Sequence, residues 1–295
     1  MFKMLTLTFF SLLALAANSV LCRLALGDGS IDPVSFTLIR LFSGILMLSL
    51  ALLFLRRSQP KPLSVSRSLA LRYGAAFMLF LYAIAFSIAY INLDTGIGAL
   101  VLFGSVQLTM IINGVIKGQH LHKVEWLGLL LAFSGLIYLV LPKLSTPSLS
   151  GFILMALAGI AWGFYTLMGR GSTTPMTDTA SNFIYTWPWL LLLVLWLIFN
   201  GAELQSKGVL LALASGGITS GLGYIVWYAA LKYYSATQAA VLQLLVPVLA
   251  AFGGVIFIAE TISLNLIMAS IMVLGGIFLV IAGRWYFTRA VEKSV

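Results

Sequence analysis

Charge is what this chain has least of. Only 8% of its 295 residues are Asp, Glu, Lys or Arg, where a soluble domain carries roughly 25%, so no water-facing surface can be built from it. The longest polar stretch, RRSQPKPLSVSR at 56–67, is too short for a soluble domain, which excludes catalysis on an appended module. One cysteine, Cys22, excludes a disulfide framework. The two histidines, both in GQHLHK (118–123), are too few for a metal site without a Cys or carboxylate cluster, so no metal and no cofactor are expected. No phosphate-binding loop, nucleophile elbow or paired-carboxylate motif occurs, so the chain does not read as an enzyme. Acids at mid-depth of the apolar runs are also lacking, which gives proton coupling little support.

What is present is apolar sequence in blocks. Hydrophobic residues make up 61% of the chain and the mean hydropathy is +1.07. Runs of about 20 residues, each long enough to cross a ~30 Å hydrocarbon core, recur from end to end. They lie near 4–26, 34–55, 69–91, 94–116 and 124–141, then 150–169, 180–200, 208–232, 235–258 and 263–283. This predicts an all-α polytopic membrane protein of ten transmembrane helices. The first run, MFKMLTLTFFSLLALAANSVLC, has the pieces of a signal peptide. Leu21 stands where a lipoprotein signal needs a small residue, however, and the apolar stretch is long for a leader, so it is expected to remain as the first span.

The net charge of +9 does not mark a nucleic-acid binder, because the basic residues are scattered over loops rather than gathered in a patch. Of seventeen Lys and Arg residues, thirteen fall on one set of alternate loops and termini, among them Lys3, Arg56, Arg57, Lys117, Arg170 and Arg284. The other set holds Lys143 and Lys207, while Arg23 and Arg40 lie inside the first two runs. By the positive-inside rule both termini face the cytoplasm, in the cell's inner (plasma) membrane.

Sliding the chain on itself by 141 residues sets Ala99 on Ala240, Leu108 on Leu249, Gly135 on Gly276 and Gln119 on Glu260; a shift of 142 sets ALAANS (14–19) on ALAGIA (156–161). The expectation is one integrated membrane domain made of two five-helix repeats, 1–143 and 144–295. An odd number of spans inverts the second copy, an architecture that places substrate near the midplane between repeats.

LQLLVPVLAAFGGVIFIAETIS (242–263), GGIFLVIAGR (275–284) and GIAWGFYTLMGR (159–170), with the 5+5 plan, resemble the EamA-type transporters of the drug/metabolite transporter superfamily over nearly the whole chain. The resemblance implies a secondary transporter, an exporter or facilitator of small metabolites such as amino acids, working by alternating access around a central cavity. The first repeat departs from the pattern: Val106 stands opposite Pro247, Gln119 opposite Glu260, and NSVLCRLAL replaces the tryptophan–glycine of the second repeat. Two other classes remain as alternatives. An intramembrane enzyme or lipid-processing protein would need clustered acids, histidines or metal ligands, and a non-transporting scaffold would not need two inverted halves.

Substrate-binding candidates follow from polar and aromatic residues within the runs. At 100° per residue, Gln243, Pro247, Ala250 and Gly254 share one stripe, and Leu102, Val106, Thr109 and Asn113 form its counterpart in the first repeat. Either stripe could line a cavity or permit close packing. Asn18 and Trp162 lie near corresponding places, Tyr165 follows one turn on, and Tyr82, Tyr224 and Trp227 add rings, whereas Tyr90, Tyr228 and Tyr233 read as interface belts. Pro247 is a candidate hinge, and Glu260, near the outer surface, a candidate gate contact. Arg23 and Arg40 are expected to snorkel outward or to pair with Asp28, Asp32 or Asp94. An aromatic-lined, nearly uncharged cavity suits zwitterionic or amphipathic metabolites. The expected partners are a small-molecule substrate and the lipid bilayer, with no nucleic acid; the oligomeric state stays open, a monomer included.

Overall fold

The computed structural model describes residues 2–56, 68–118, 121–140, 148–169, 172, 174–231, 233–234 and 242–292. Gln119, His120 and most of the 56–67 linker lie outside the described residues, as does the side chain of Tyr228. Apolar sequence in hydrocarbon must satisfy its backbone internally, which leaves helices as the economical solution. The described residues are accordingly helical, with one isolated bridge, Ile31 to Leu204, joining two loops.

In chain order the elements are α1 (Phe2–Leu26), α2 (Pro33–Arg56), α3 (Leu69–Ala89), α4 (Thr95–Ile116), α5 (Lys123–Val140) and α6 (Ser148–Gly169). Then come α7 (Pro175–Ile184), α8 (Trp187–Asn200), α9 (Ser206–Leu213), a π-helical segment (Ala214–Leu222), α10 (Gly223–Leu231), α11 (Leu245–Ile258) and α12 (Leu264–Glu292). Among the described residues eight segments are long and apolar enough to cross a membrane: α1–α4, α6, α7–α8 together, α9 through the π segment into α10, and α12; α5 is not among them, and α11 is a shorter apolar helix. Their outward faces carry Leu, Ile and Phe, as on α8, where Leu191, Leu192, Ile198 and Phe199 are exposed.

Where elements begin and break has local causes. Asp32 accepts from the backbone N–H groups of Val34 and Ser35 at 3.0 and 2.9 Å, capping α2 with Pro33 in its first turn. The expected seventh run is split between α7 and α8 ahead of Pro188, and the Thr186 hydroxyl bonds the Phe183 carbonyl at 2.6 Å there. The expected eighth run is wound partly as π-helix through its small residues, ASGGITSGL. α12 continues nine residues beyond the expected 283.

Contacts between helices respect an exchange of the two halves of the chain. α5 packs on α12 and α4 on α11; α3 against α6 is matched by α1 against α10 and the π segment; α4 against α6 is matched by α1 against α11; α2 against the π segment is matched by α3 against α7. Small residues permit the closest crossings. A Cβ on Gly128 would lie 2.5 Å from the Gly276 carbonyl, and one on Gly216 would lie 2.0 Å from the Arg40 carbonyl.

Candidate substrate site

Polar groups deep in the bundle converge on one amide. Asn18, buried on α1, accepts at Oδ1 from Ser215 Oγ at 2.6 Å and from Thr219 Oγ1 at 3.2 Å. Its Nδ2 donates to Tyr82 Oη on α3 at 3.3 Å. Ser215 and Thr219 are four positions apart on the π segment, so both hydroxyls share a face. Tyr82 Oη accepts a second bond, from Arg40 Nη2 on α2 at 2.9 Å. Four elements are therefore tied together by five side chains.

Aromatic rings continue the cluster into the second half. The Tyr82 ring lies 4.7 Å from Trp162, which lies 5.1 Å from Tyr165 and 5.5 Å from Tyr224; Phe183 stands 6.2 Å beyond Tyr224. Asn182 Nδ2 donates to Tyr165 Oη at 3.4 Å. Asn18, Ser19, Tyr82, Phe86, Trp162 and Tyr224 are among the walls of a cavity of about 20 Å³. That is room for about one water molecule, so the core is closed down in this conformation.

Arg40 corrects the expectation made for it. It neither snorkels nor meets Asp28, Asp32 or Asp94: it is 2% exposed, its guanidinium carbon lying 5.2 Å from the centre of the Tyr82 ring and 4.9 Å from that of Phe86. The three acids are engaged elsewhere. Asp28 bonds Lys207 and Ser30, Asp32 caps α2, and Asp94 faces Arg23 at 3.7 Å. Asp28 lies in the loop after α1; burial pushes its carboxyl up, but the hydrogen bonds from Lys207 and Ser30 outweigh this and hold it below the ordinary value.

Arg23 behaves as expected and is the centre of a second cluster, at the end of the bundle where α1, α3 and α11 finish and α4 begins. Its Nη1 donates to the Tyr90 and Ile91 carbonyls at 2.9 and 2.8 Å, and its Nε lies 3.4 Å from Glu260. Glu260 is placed by Ala259, the one non-glycine described residue in left-handed backbone (φ 57°), whose turn sends the Glu260 N–H to the Gly254 carbonyl at 3.1 Å. The Glu260 carboxylate accepts the Thr95 N–H at 3.0 and 2.9 Å and the Thr95 hydroxyl at 3.0 Å. It thus caps α4 from the other half of the chain, a favourable place for negative charge at a helix N-terminus, while Asp94, the adjacent residue, makes no side-chain cap.

Of the candidates read from sequence, Asn18, Tyr82, Trp162, Tyr165 and Tyr224 are brought together. Thr109 is half-buried with its hydroxyl on the Ser105 carbonyl at 2.7 Å, packed beside Gly163. Asn113 is half-buried one turn further along α4, Trp227 is buried three residues past Tyr224, and Gln243 is half-buried ahead of α11; none is among the walls of the small cavity. Pro247 is buried in the first turn of α11, because the helix is interrupted by a turn at Leu244. There its missing N–H costs no helical bond. Tyr90, expected at the membrane interface, is fully buried, bonding the Thr95 carbonyl at 3.3 Å. Sequence reasoning passed over Ser215, Thr219 and Asn182; the hydroxyl pair four apart in an apolar run was the available signal for the first two.

Membrane-long helices enclosing a polar and aromatic core, built from both halves and tied shut at one end, are the build of a multi-pass membrane transporter. The chain belongs to the EamA-like transporter family, which it matches twice, at residues 2–141 and 149–282. It is 48% identical to an uncharacterized protein of Pseudomonas aeruginosa, across 96% of each chain. It is 24% identical to a probable amino-acid metabolite efflux pump of Salmonella typhimurium, over 74% of this chain and 78% of that one, and 23% identical to an uncharacterized transporter of Bacillus subtilis, over 86% and 88%. A solved crystal structure of another protein superposes with a TM-score of 0.64 at 19% identity, covering 93% of this chain and 96% of the other. At that identity it speaks to fold alone.

Proposed function

We propose that the chain is a secondary carrier that exports or facilitates passage of small metabolites such as amino acids, by alternating access between two inverted five-helix halves, 1–143 and 144–295. In this reading ten spans cross the cytoplasmic membrane, both termini lie inside, and the Arg23–Glu260 end faces outward. The observation that carries it is the small cavity between Asn18 and Tyr82 of the first half and Trp162 and Tyr224 of the second. A core assembled from both halves opens when the halves move relative to each other. The names of the Salmonella typhimurium relative and of a 23% identical Escherichia coli protein, also a probable amino-acid metabolite efflux pump, support the substrate class.

In this carrier Glu260 and Arg23 latch the outer end, and the turn at Leu244 with Pro247 beyond it lets the start of α11 swing. Gln243, Thr109 and Asn113 line the path opened on the other side. Purified protein in proteoliposomes, assayed across an amino-acid panel with and without a proton gradient, should show saturable flux for at least one compound. Absence of saturable flux for all of them overturns the reading. Pro247→Ala is expected to change turnover several-fold at unchanged thermal stability; unchanged turnover removes the hinge.

A further inference from the structure

A guanidinium stays charged at any pH a protein experiences. Left buried without a counter-charge, it destabilises the fold. Arg40 is such a group: among the described residues no acid pairs with it, it makes one side-chain hydrogen bond, to Tyr82, and its Nη1 is buried with no partner. The other buried charged side chain among the described residues, Glu125, lies in the first turn of α5 and accepts the His122 N–H at 2.7 Å. Tyr82 and Phe86, on which the Arg40 guanidinium rests, are two walls of the small cavity between the halves, so Arg40 stands behind that wall rather than in it.

We propose that Arg40 is the anion-recognition residue of this core and that the ligand it receives is a single carboxylate on a small organic molecule. This rests on the transporter reading and narrows its substrate class. Tyr82 Oη holds the guanidinium through Nη2 while the core is closed, and an entering carboxylate takes the unpartnered Nη1 in the charge-assisted geometry that Arg offers to carboxylates. The Trp162 and Tyr224 rings receive the apolar remainder. Charge decides between carboxylate and phosphate: one buried cation neutralises a monoanion, whereas a phosphate dianion would retain a buried negative charge. Retention of an unpaired arginine at this depth follows from function, because polar side chains inside a membrane bundle mark ligand pathways.

The experiment uses the full chain in detergent and in proteoliposomes. Probes are leucine, phenylalanine and threonine, their amides, the deaminated acids 4-methylpentanoate and 3-phenylpropionate, and inorganic phosphate. Ligand-induced rise in Tm is read separately from flux. At least one free acid should stabilise the wild type while its amide does not. Loss of the charge-assisted contact should weaken binding and raise KM by about 10- to 100-fold in Arg40→Met, with Arg40→Lys retaining part of the acid preference. Deaminated acids matching the amino acids would show that the carboxylate alone is read; amino acids surpassing them would show that the ammonium is read as well, and both results support the proposal. A structural arginine would lower ligand-free Tm on replacement; here Arg40→Met should leave it unchanged or raise it. Amides matching acids, an acid preference that survives in Arg40→Met, stabilisation by phosphate alone, or no stabilisation by any probe overturns the proposal. Acid- and Arg40-dependent stabilisation without saturable flux would uphold the binding site while refuting transport.

Discussion

Two arginines in neighbouring helices meet opposite fates. Arg23, at the end of α1, faces Glu260 and Asp94 and bonds two carbonyls, so its charge is neutralised and the ends of α1, α3, α4 and α11 are held together. Arg40, inside α2, meets rings and one phenol, and no carboxylate among the described residues. The first arrangement stabilises a closed end. The second leaves a standing positive charge beside a cavity, which is costly to the fold and useful to a ligand. The difference between a latch and a receptor here is the presence of an acid within reach, not the kind of basic residue.

Breaking the latch should have the largest effect. Glu260→Ala strips the cap from Thr95 and leaves Arg23 with Asp94 alone, the more exposed of its two acids, and truncating one partner of a largely buried pair costs about 3 kcal/mol. Thermal unfolding should register a clear fall in Tm, with Glu260→Gln intermediate; an unchanged Tm would mean that the ends are held by packing alone. A middle-sized effect is expected at the other arginine's one hydrogen-bonding partner. Tyr82→Phe keeps the ring but removes the acceptor shared by Arg40 and Asn18, costing about 1–2 kcal/mol. That loss should shrink in an Arg40→Met background, where the abandoned guanidinium is gone, and a double-mutant cycle reads the difference. Additive losses would show that the two side chains do not act together.

The smallest effect belongs to the exposed pair, Lys207 with Asp28. Lys207→Ala should cost about 0.5 kcal/mol or less. The folded carboxyl lies below its ordinary value of 3.8, so the contribution is present at neutral pH and is lost as pH falls below 3.8 toward the folded value. A wild-type advantage that persists in strong acid would mean that the lysine acts through its stem.

Much of this was legible beforehand because hydropathy is local. The helices of the first half begin and end within a few residues of the apolar runs, whereas α12 overruns its run by nine, and Asn18, Tyr82, Trp162 and Tyr224 stood out as polar or aromatic groups deep inside the runs. Arg40 was visible too, but its partner was not: Asp28, Asp32 and Asp94 are near in sequence depth, and each turned out to be engaged by another group. The cap that Glu260 places on Thr95 joins residues 165 positions apart, and the π-wound Ala214–Leu222 meets α2 so closely that a Cβ on Gly216 would lie 2.0 Å from the Arg40 carbonyl.

The sequence by itself determined that the chain is helical and membrane-embedded, since a segment's transfer from water to hydrocarbon depends on its own composition. It also determined that there are two related halves, through the order of runs and small residues. Tertiary structure alone decided which charges meet. Electrostatic pairing falls steeply with distance and burial, and those are set by which helix ends lie side by side. Arg23 found carboxylates there; Arg40 found aromatic rings and an empty donor.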